Sequence, residues 1–274
     1  METVTYAVGD IHGRTDLLDD LLDDIEADAA RRGARAKIVF TGDYVDRGPD
    51  SFGVVERMIS GPRRNGDQFV CLLGNHDDLF VKAANSTEDF PPWARRLHEH
   101  ALLSYGLTPD SPDRQRGELF RHAAFLANLP LTHDDGAHLF VHAGIRPEIA
   151  LDAQDERDLL WIREEFMDYA GALPRRVVHG HTIVGDNPVV TDYRVSIDTG
   201  AYRSGILTAA VFDGGPPAFL ATAGPPDKGA MVREAMIVAE VRGRVLTEEM
   251  QAAFDDFLQG RIDVSEMMQI VEGA

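Results

Sequence analysis

Three short apolar segments near the N-terminus, each followed by glycine and a polar side chain, constrain the fold more than any other feature. The polar residues lie 33 and 32 residues apart and are Asp10, Asp43 and Asn75. This spacing is the length of a β-α-β unit, so we predict neighbouring parallel strands at 4–8, 38–40 and 69–73. Because sites form beyond the carboxyl ends of such strands, the three polar residues are expected at one edge of the sheet.

The remaining apolar patterns predict helices and a second sheet. Apolar residues at helical spacing over 17–25, opposite a face of aspartates, predict a helix after the first strand, and 50–59 predict another. Further strand patterns occur at 138–142, 177–179, 189–197 and 205–212. They indicate a second sheet packed on the first, which is an α/β sandwich.

The chain is predicted to consist of a main domain and an appendage. Residues 1–224 form the predicted main domain, and the helical pattern of 80–137 within it indicates an insertion beside the site. After Gly224-Pro225-Pro226 the pattern changes, and 225–274 are predicted to form a mostly helical appendage. Its apolar spacing is typical of packing, and self-association through this tail remains an alternative.

Charge and composition limit the partners. The formal net charge is −19, which repels nucleic-acid phosphates, so we expect no nucleic-acid partner. A negatively charged substrate would need a local positive centre, and bound divalent cations can provide one. The single cysteine, Cys71, excludes an intramolecular disulfide and a cysteine-based zinc cluster. No apolar run approaches transmembrane length, so we expect a cytoplasmic protein with no membrane partner.

Five short glycine-containing motifs follow apolar runs in order along the chain. They are Gly9-Asp-Ile-His-Gly13, Gly42-Asp-Tyr-Val-Asp-Arg-Gly48, Gly74-Asn-His-Asp77, Val141-His-Ala-Gly144 and Gly180-His-Thr182. Each is weak alone, and the bland interpretation is that such residues only cap turns. Five in order favour a metal site, because carboxylate, imidazole and amide groups suit Mn, Fe, Zn or similar ions. The candidate ligands are Asp10, His12, Asp43, Asn75, His142 and His181.

This ligand set predicts two metal ions. Asp10 and His12 point the same way along an extended segment, and Asp43 can bridge two ions with its two oxygens. Two ions about 3.5–4 Å apart would clamp phosphoryl oxygens and lower the pKa of a shared water. We therefore predict hydrolysis of a phosphoester by direct attack of that water. Manganese is the expected metal, and Fe, Zn, Co or Ni are compatible.

Four further residues are candidates for acid catalysis and phosphate binding. His76 could protonate the leaving oxygen, with Asp46 orienting its imidazole, or the two could form a purely structural pair. Arg47 could grip phosphate, together with Asn75, or could brace its loop by pairing with a carboxylate. Arg163 is a second phosphate-binding candidate, or else a salt-bridge residue on a helix face.

The other histidines have no predicted role in the chemistry. His179 is expected to be structural or to support the site. The remaining ones are expected at the surface or in the core, and they include His98, His122, His133 and His138.

The five motifs resemble those of the phosphoprotein phosphatase superfamily of metallophosphoesterases, in a short bacterial or phage-like form. The resemblance covers residues 4–212 in motif order. It implies the four-layer sandwich of two mixed sheets flanked by helices, a dinuclear metal site, and His76 with Asp46 as the acid pair. Asp10 and His12 would hold one metal and Asn75, His142 and His181 the other, with Asp43 bridging. Asp77 and Ala143 depart from the eukaryotic pattern, which puts eukaryotic-style regulatory partners in doubt.

The resemblance implies a protein phosphatase acting on phosphoserine and phosphothreonine, with a phosphorylated protein or peptide as partner. The same site also serves dinucleoside-polyphosphate hydrolases, which is the alternative. In symmetrical tetraphosphate hydrolases the second motif usually lacks an aspartate at the position of Asp46, so its presence favours the phosphatase. A third alternative is a pseudoenzyme that binds phosphopeptides.

Overall fold

The three predicted N-terminal strands form the centre and one edge of a five-stranded sheet. In this computed structural model, β1 (Thr3–Val8) pairs in parallel with β2 (Arg35–Phe40), and β2 pairs in parallel with β3 (Gln68–Cys71). Helices α1 (Thr15–Arg31) and α2 (Ser51–Ser60) make the two connections. The predicted β-α-β arrangement is therefore confirmed, and the carboxyl ends of all three strands lie at one edge.

Two antiparallel strands complete this first sheet and correct the sequence prediction. β9 (Thr208–Phe212) pairs with β1, and β10 (Ala218–Ala221) pairs with β9. The segment 205–212 was predicted to belong to the second sheet. Its strand character was right, but the sheet was wrong, because hydropathy reports burial and carries no information about the neighbour across the hydrogen bonds.

The second sheet also contains five strands, in the order β4-β5-β6-β8-β7. Its two parallel pairs are β5 with β6 and β6 with β8, and antiparallel strands flank them on both sides. The predicted strand 189–197 is interrupted by a turn, so that it contributes two short antiparallel strands. The strand bounds are Thr132–Asp134, His138–Val141, Arg176–His179, Val189–Val190 and Arg194–Ser196 for β4 to β8.

The two sheets pack face to face through a buried apolar cluster, and helices cover their outer faces. Side chains from both sheets form the central cluster, including Val39, Phe140 and Val178. A second cluster joins α1 and α2 to the outer face of the first sheet, and a third joins the helices Glu156–Trp161 and Glu164–Met167 to the second sheet. The predicted four-layer α/β sandwich is confirmed.

The structure describes residues 2–86, 96–107, 117–241 and 244–273. Parts of the predicted insertion, 87–95 and 108–116, therefore lie outside the described residues. Its described parts hold helices, as expected, but its last residues form β4. Further helices of the first unit, within the described residues, are Asn75–Ala84, Glu99–Ser104, Gly117–Leu126, Glu156–Trp161, Glu164–Met167 and Ala201–Ser204, here numbered α3 to α8. A 3-10 turn occurs at Leu151–Ala153.

The chain divides into two compact units, Met1–Gly224 and Pro225–Ala274. The second contains α9 (Lys228–Val241), α10 (Glu248–Leu258) and α11 (Val264–Gly273), which share an apolar cluster. The Thr247 hydroxyl accepts the backbone N–H of Met250 at 3.2 Å and so caps α10. Self-association through this unit stays a prediction. Among the described residues, no helix combines the length and the apolar character needed to cross a membrane.

Candidate metal centre and acid pair

The six predicted metal ligands come together where the parallel strands of both sheets end. Asp10, His12, Asp43 and Asn75 follow strands of the first sheet, whereas His142 and His181 follow β5 and β6 of the second. All six are less than a tenth exposed. Two sheets packed in this way thus supply one buried cluster of carboxylate, amide and imidazole groups.

Asp43 lies between ligands from the two sheets. Its Oδ2 is 3.4 Å from His12 Nε2, and its Oδ1 is 3.5 Å from His142 Nε2. Each carboxylate oxygen therefore faces a different imidazole, which is the arrangement that a bridging ligand between two ions requires.

The other predicted ligands close the cluster around Asn75 and Asp10. The Asn75 Oδ1 atom is 2.7 Å from His142 Nε2 and 3.0 Å from His181 Nδ1. The backbone N–H of His181 donates to both oxygens of Asp10, at 3.1 and 3.0 Å. The centre is thereby joined across the two sheets by side chains that converge on one space.

The turns that carry these residues adopt left-handed backbone conformations. Of the six non-glycine residues with positive φ among the described residues, five are at this site. Each such conformation costs on the order of 1–3 kcal/mol and persists only where the surroundings enforce it. The five residues are His12, Asp43, Asp46, Arg47 and His181.

Asp77 enforces the strained turn after β2, a role that the sequence interpretation missed. Its carboxylate accepts the backbone N–H groups of Asp43 at 2.8 Å, Tyr44 at 3.0 Å and Gly74 at 3.0 Å, and the side chain is fully buried. It therefore fixes the backbone that presents Asp43. The available signal was its position two residues after Asn75, although adjacency in sequence does not reveal what a side chain accepts.

Two glycines allow the ends of β2 and β3 to approach each other. Gly42 has a φ of +101°, and a Cβ atom there would lie 2.5 Å from the Gly74 nitrogen. A Cβ atom on Gly74 would lie 2.2 Å from the Asp43 nitrogen. The two glycines thus make room for a neighbouring turn of the protein itself.

The histidine geometry tests whether the residues fit metal ions. Nδ1–H of His12 donates to the Val45 carbonyl, and Nδ1–H of His142 donates to the Thr41 carbonyl, both at 2.8 Å. Burial, with the nearby charge of Arg47, lowers the pKa of His12 to about 3, and burial also lowers the pKa of His142. Each neutral ring therefore turns an Nε2 lone pair toward Asp43. These Nε2 lone pairs face carboxylate oxygens, which are also acceptors, so neither group has a donor there. A cation bound between them would be coordinated by both.

Buried negative charge provides a second test. Burial, followed by the charges of Asp198 and Asp43, raises the pKa of Asp10 well above its usual value. Burial likewise raises the pKa of Asp198 to about 6. For Asp43, burial also acts to raise the pKa, but the imidazoles around it, His142 first, bring the pKa below its usual range. Buried carboxylates that interact electrostatically repel one another when ionised, and divalent cations would relieve that repulsion.

The proposed acid pair forms directly beside this centre. Nδ1 of His76 lies 2.7 Å from Asp46 Oδ2, and Asp46 is fully buried. The backbone N–H of His76 donates to Asp43 Oδ1 at 2.9 Å, and its ring meets that of His12 edge to face at 4.9 Å. His76 is thus held against the ligands, with its Nε2 on the side of Arg47.

Both candidate phosphate-binding arginines reach the site. Nη2 of Arg47 is 3.4 Å from His76 Nε2, and its guanidinium stacks 4.6 Å from the centre of the Tyr202 ring. Nε–H of Arg163 donates to His181 Nε2 at 3.2 Å. The contact with His181 places Arg163 at the centre, and not on a helix face facing away from it.

The sequence profile of the calcineurin-like phosphoesterase family matches residues 4–204. The chain belongs to this family. The predicted metallophosphoesterase superfamily is therefore confirmed, and the family uses divalent metals. Two groups of side chains lie close enough together to share an ion, namely His12, Asp43 and His76, and Asp10, Asp43 and His142. Of these, only His76 is outside the candidate ligand set, because it was predicted to be the acid.

Curated relatives of this phosphoesterase carry names that differ from the protein-phosphatase prediction. A symmetrical bis(5'-nucleosyl)-tetraphosphatase of Acidovorax sp. is 33% identical over 166 residues, covering 61% of this chain and 48% of the relative. The enzyme of the same name from Pseudomonas fluorescens is 35% identical over 149 residues, covering 54% and 45%. The chain thus spans about half the length of these relatives.

Two solved structures resemble this chain in fold. A putative diadenosine tetraphosphatase is 26% identical with a TM-score of 0.56, covering 82% of this chain and 98% of that one. A serine/threonine phosphatase of Saccharomyces cerevisiae has a TM-score of 0.52 at 14% identity, with 82% and 81% covered. The second likeness concerns the fold alone.

The sequence predicted the role of His179 correctly but missed the contact that His98 makes with the acid pair. His179 is buried, its Nδ1–H donates to the Gly180 carbonyl at 2.9 Å, and its Nε2 contacts Ser196 Oγ at 2.8 Å, as expected of a structural residue. His98, expected only to be a surface or core residue, contacts Asp46 at 2.8 Å. The two residues are 52 positions apart, with no motif linking them, so sequence spacing could not reveal the contact.

Proposed function

We propose that this phosphoesterase hydrolyses dinucleoside tetraphosphates at a centre of two divalent ions. The observation that carries the proposal is the similarity to symmetrical bis(5'-nucleosyl)-tetraphosphatases, at 33% identity over 166 residues for the Acidovorax protein. A zinc-dependent endopolyphosphatase of Saccharomyces cerevisiae is also 36% identical over 89 residues. Both names describe cleavage of a bond between phosphates, which favours a phosphoanhydride substrate over a phosphomonoester.

The six ligands would hold the ions, with Asp43 between them. When bound, divalent ions supply positive charge for the phosphoryl oxygens and lower the pKa of water. Arg47, which contacts His76, and Arg163, which contacts His181, would bind phosphate oxygens with their guanidinium groups. His76, held through Nδ1 by Asp46, would give a proton from Nε2 to the leaving oxygen.

An exposed indole beside the centre suits a nucleoside substrate. Trp161 is 41% exposed, and its ring centre lies 6.1 Å from that of His181. A large aromatic side chain left open to water next to a phosphate site offers a surface on which a base can stack. We propose that Trp161 contacts one base of the dinucleotide.

The pairing of Asp46 with His76 favours a second candidate, a phosphatase for phosphoserine and phosphothreonine. A serine alkoxide is a poor leaving group and needs a proton, whereas a nucleoside diphosphate leaves as a stable anion. An aspartate-backed acid is therefore more valuable to a phosphomonoesterase. The phosphorylated protein or peptide partner belongs to this second candidate.

One assay separates the candidates. The full chain with Mn²⁺ is given diadenosine tetraphosphate, a phosphoserine peptide and p-nitrophenyl phosphate in parallel. We expect the dinucleotide to have the highest kcat/KM and to give two molecules of ADP per water consumed. Preference for the phosphopeptide would replace the proposal by the second candidate, and no turnover with any divalent metal would favour a phosphopeptide-binding pseudoenzyme.

Two variants assign the roles. Trp161→Ala should remove about 1–3 kcal/mol of base stacking and raise the KM for the dinucleotide by the corresponding factor. The KM for p-nitrophenyl phosphate should not change, because this substrate has no base. His76→Asn should lower kcat roughly 10²–10⁴-fold on the phosphopeptide, if that is cleaved, and less on substrates with good leaving groups. Equal losses on all substrates would contradict the assigned acid role.

A further inference from the structure

A second imidazole contacts the carboxylate that orients His76. Nδ1 of His98 lies 2.8 Å from Oδ1 of Asp46 and 2.9 Å from its Oδ2, while Nδ1 of His76 lies 2.7 Å from Oδ2. An ionised carboxylate only accepts, so both rings present an N–H to it. We infer that His98 is a positioning residue, which fixes the Asp46 carboxylate so that Asp46 can fix His76. This role rests on the proposed hydrolase.

The Asp46 carboxylate needs such a support. The terminal torsion of an aspartate is broad, so a single hydrogen bond to one oxygen leaves the plane of the group free to rotate. His98 spans both oxygens and removes that freedom. Asp46 also sits in a left-handed turn, with φ of +72°, so its backbone has little room to compensate for a displaced side chain.

The same contacts keep Asp46 ionised. Burial by itself would raise the pKa of this carboxyl, but the charge of His98 and the hydrogen bonds from His76 and His98 bring it below its usual range. Asp46 therefore remains an acceptor for both rings, and the geometry needs no proton on the carboxylate.

His98 is itself held rigidly. The side chain is fully buried, and its backbone carbonyl accepts the N–H of Leu102 at 2.8 Å, at the start of α4. Its ring meets Phe80 edge to face at 5.4 Å, and Phe80 stacks on Tyr105 at 5.9 Å. Phe80 belongs to α3, the helix that begins at Asn75 and carries His76. Helix α3 therefore carries both the proposed acid, His76, and Phe80, the residue that packs against His98.

Two substitutions separate positioning from packing. In His98→Asn the amide nitrogen can take the place of Nδ1, because both atoms are bonded to Cγ, so the donor is retained in a smaller side chain. His98→Leu keeps the volume and removes the donor. His122→Leu is the matched control, since His122 is equally buried but contacts Tyr105 and Glu56, at 2.6 and 2.9 Å.

The decisive measurement does not depend on a substrate. In the zinc-loaded full chain with ¹⁵N-labelled histidine, the Nδ1–H proton of His76 should give a hydrogen-bonded resonance, assigned by its loss in His76→Asn. We expect it to persist in His98→Asn and His122→Leu and to broaden or shift in His98→Leu. An unchanged His76 resonance in a folded His98→Leu protein would overturn the inference. If that variant does not fold, His98→Gln, whose amide reaches beyond the Nδ1 position, replaces it.

Kinetics provide the second readout. On whichever substrate the wild type cleaves, His98→Leu should lower kcat roughly tenfold to a hundredfold, the range found for groups that orient a site residue, with KM nearly unchanged. His98→Asn should restore most of kcat. Equal kcat losses in His98→Leu and His122→Leu would mean that only packing is involved. Absence of turnover by the wild type would refute the proposed function, whereas the resonance would still decide the role of His98.

Discussion

The carboxylate of Asp77 is predicted to be the main support of the turn that presents Asp43, and Asp77→Asn tests this. Oδ2 accepts from the backbone nitrogens of Asp43 at 2.8 Å and Gly74 at 3.0 Å, and Oδ1 accepts from those of Tyr44 at 3.0 Å and Val45 at 3.3 Å. Asparagine replaces one oxygen by a donor. In either orientation of the amide, two buried N–H groups then lose their acceptor.

The expected cost follows from this count. A buried donor left without a partner costs about 1–3 kcal/mol, so two of them should lower the free energy of unfolding by about 2–6 kcal/mol. The lower part of this range applies if the amide nitrogen takes the place of Oδ1. The hydrogen bonds from Tyr44 and Val45 are then lost, and the one from Val45 is the longest of the four. The displaced turn would also move Asp43, so the content of bound divalent metal should fall.

Urea unfolding, followed by tryptophan fluorescence, measures the first effect, because both tryptophans lie within residues 1–224. Elemental analysis after gel filtration measures the second. The control is Asp78→Asn, since Asp78 pairs with the exposed Lys82 at 2.6 Å, and loss of such a pair costs about 1 kcal/mol or less. If the free energy of unfolding of Asp77→Asn is within about 0.5 kcal/mol of the wild-type value and the variant retains its metal, the Asp77 carboxylate is not the main support of this turn.

Three other predictions concern the centre and the tail. Asp43→Asn should abolish activity and reduce bound metal, because it removes the charge between His12 and His142; near-full turnover with two bound ions would refute the bridge. Gly42→Ala should destabilise by at least about 1–3 kcal/mol, judged by urea unfolding against Gly61→Ala, which has a positive φ but open space. Removal of 225–274 should leave kcat/KM unchanged; loss of metal from a folded truncation would show that the tail contributes to the site.

The family, and the convergence of the candidate ligands, could be predicted from the sequence because local patterns encode them. Short apolar runs predict strands, their spacing predicts parallel neighbours, and the carboxyl ends of parallel strands meet at one edge. These three facts together predict that Asp10, Asp43 and Asn75 lie close to one another. The recurrence of glycine beside polar residues identified His142 and His181 as further candidate ligands. No local pattern indicated that these two residues would lie at the strand ends of a separate sheet.

The substrate was less accessible to the same reasoning. Asp46 favoured a protein phosphatase, because the second motif of symmetrical tetraphosphate hydrolases usually lacks an aspartate at this position. Similarity to named relatives favours the alternative that was left open, a dinucleoside-tetraphosphate hydrolase. The site itself recognises phosphate, so the choice between substrates depends on surrounding side chains such as Trp161, whose position beside His181 is a tertiary feature.

Residue type and short-range spacing were enough to predict most of the strands, the family and the chemistry of the candidate ligands, but not β4 or β10. Only the tertiary structure decided which sheet β9 joins, which backbone groups Asp77 holds, and that His98 reaches Asp46. The physical reason is common to all three. The packing of whole layers decides which distant segments form hydrogen bonds with each other. The sequence around His98 therefore does not indicate that it will contact the carboxylate of Asp46, 52 residues away.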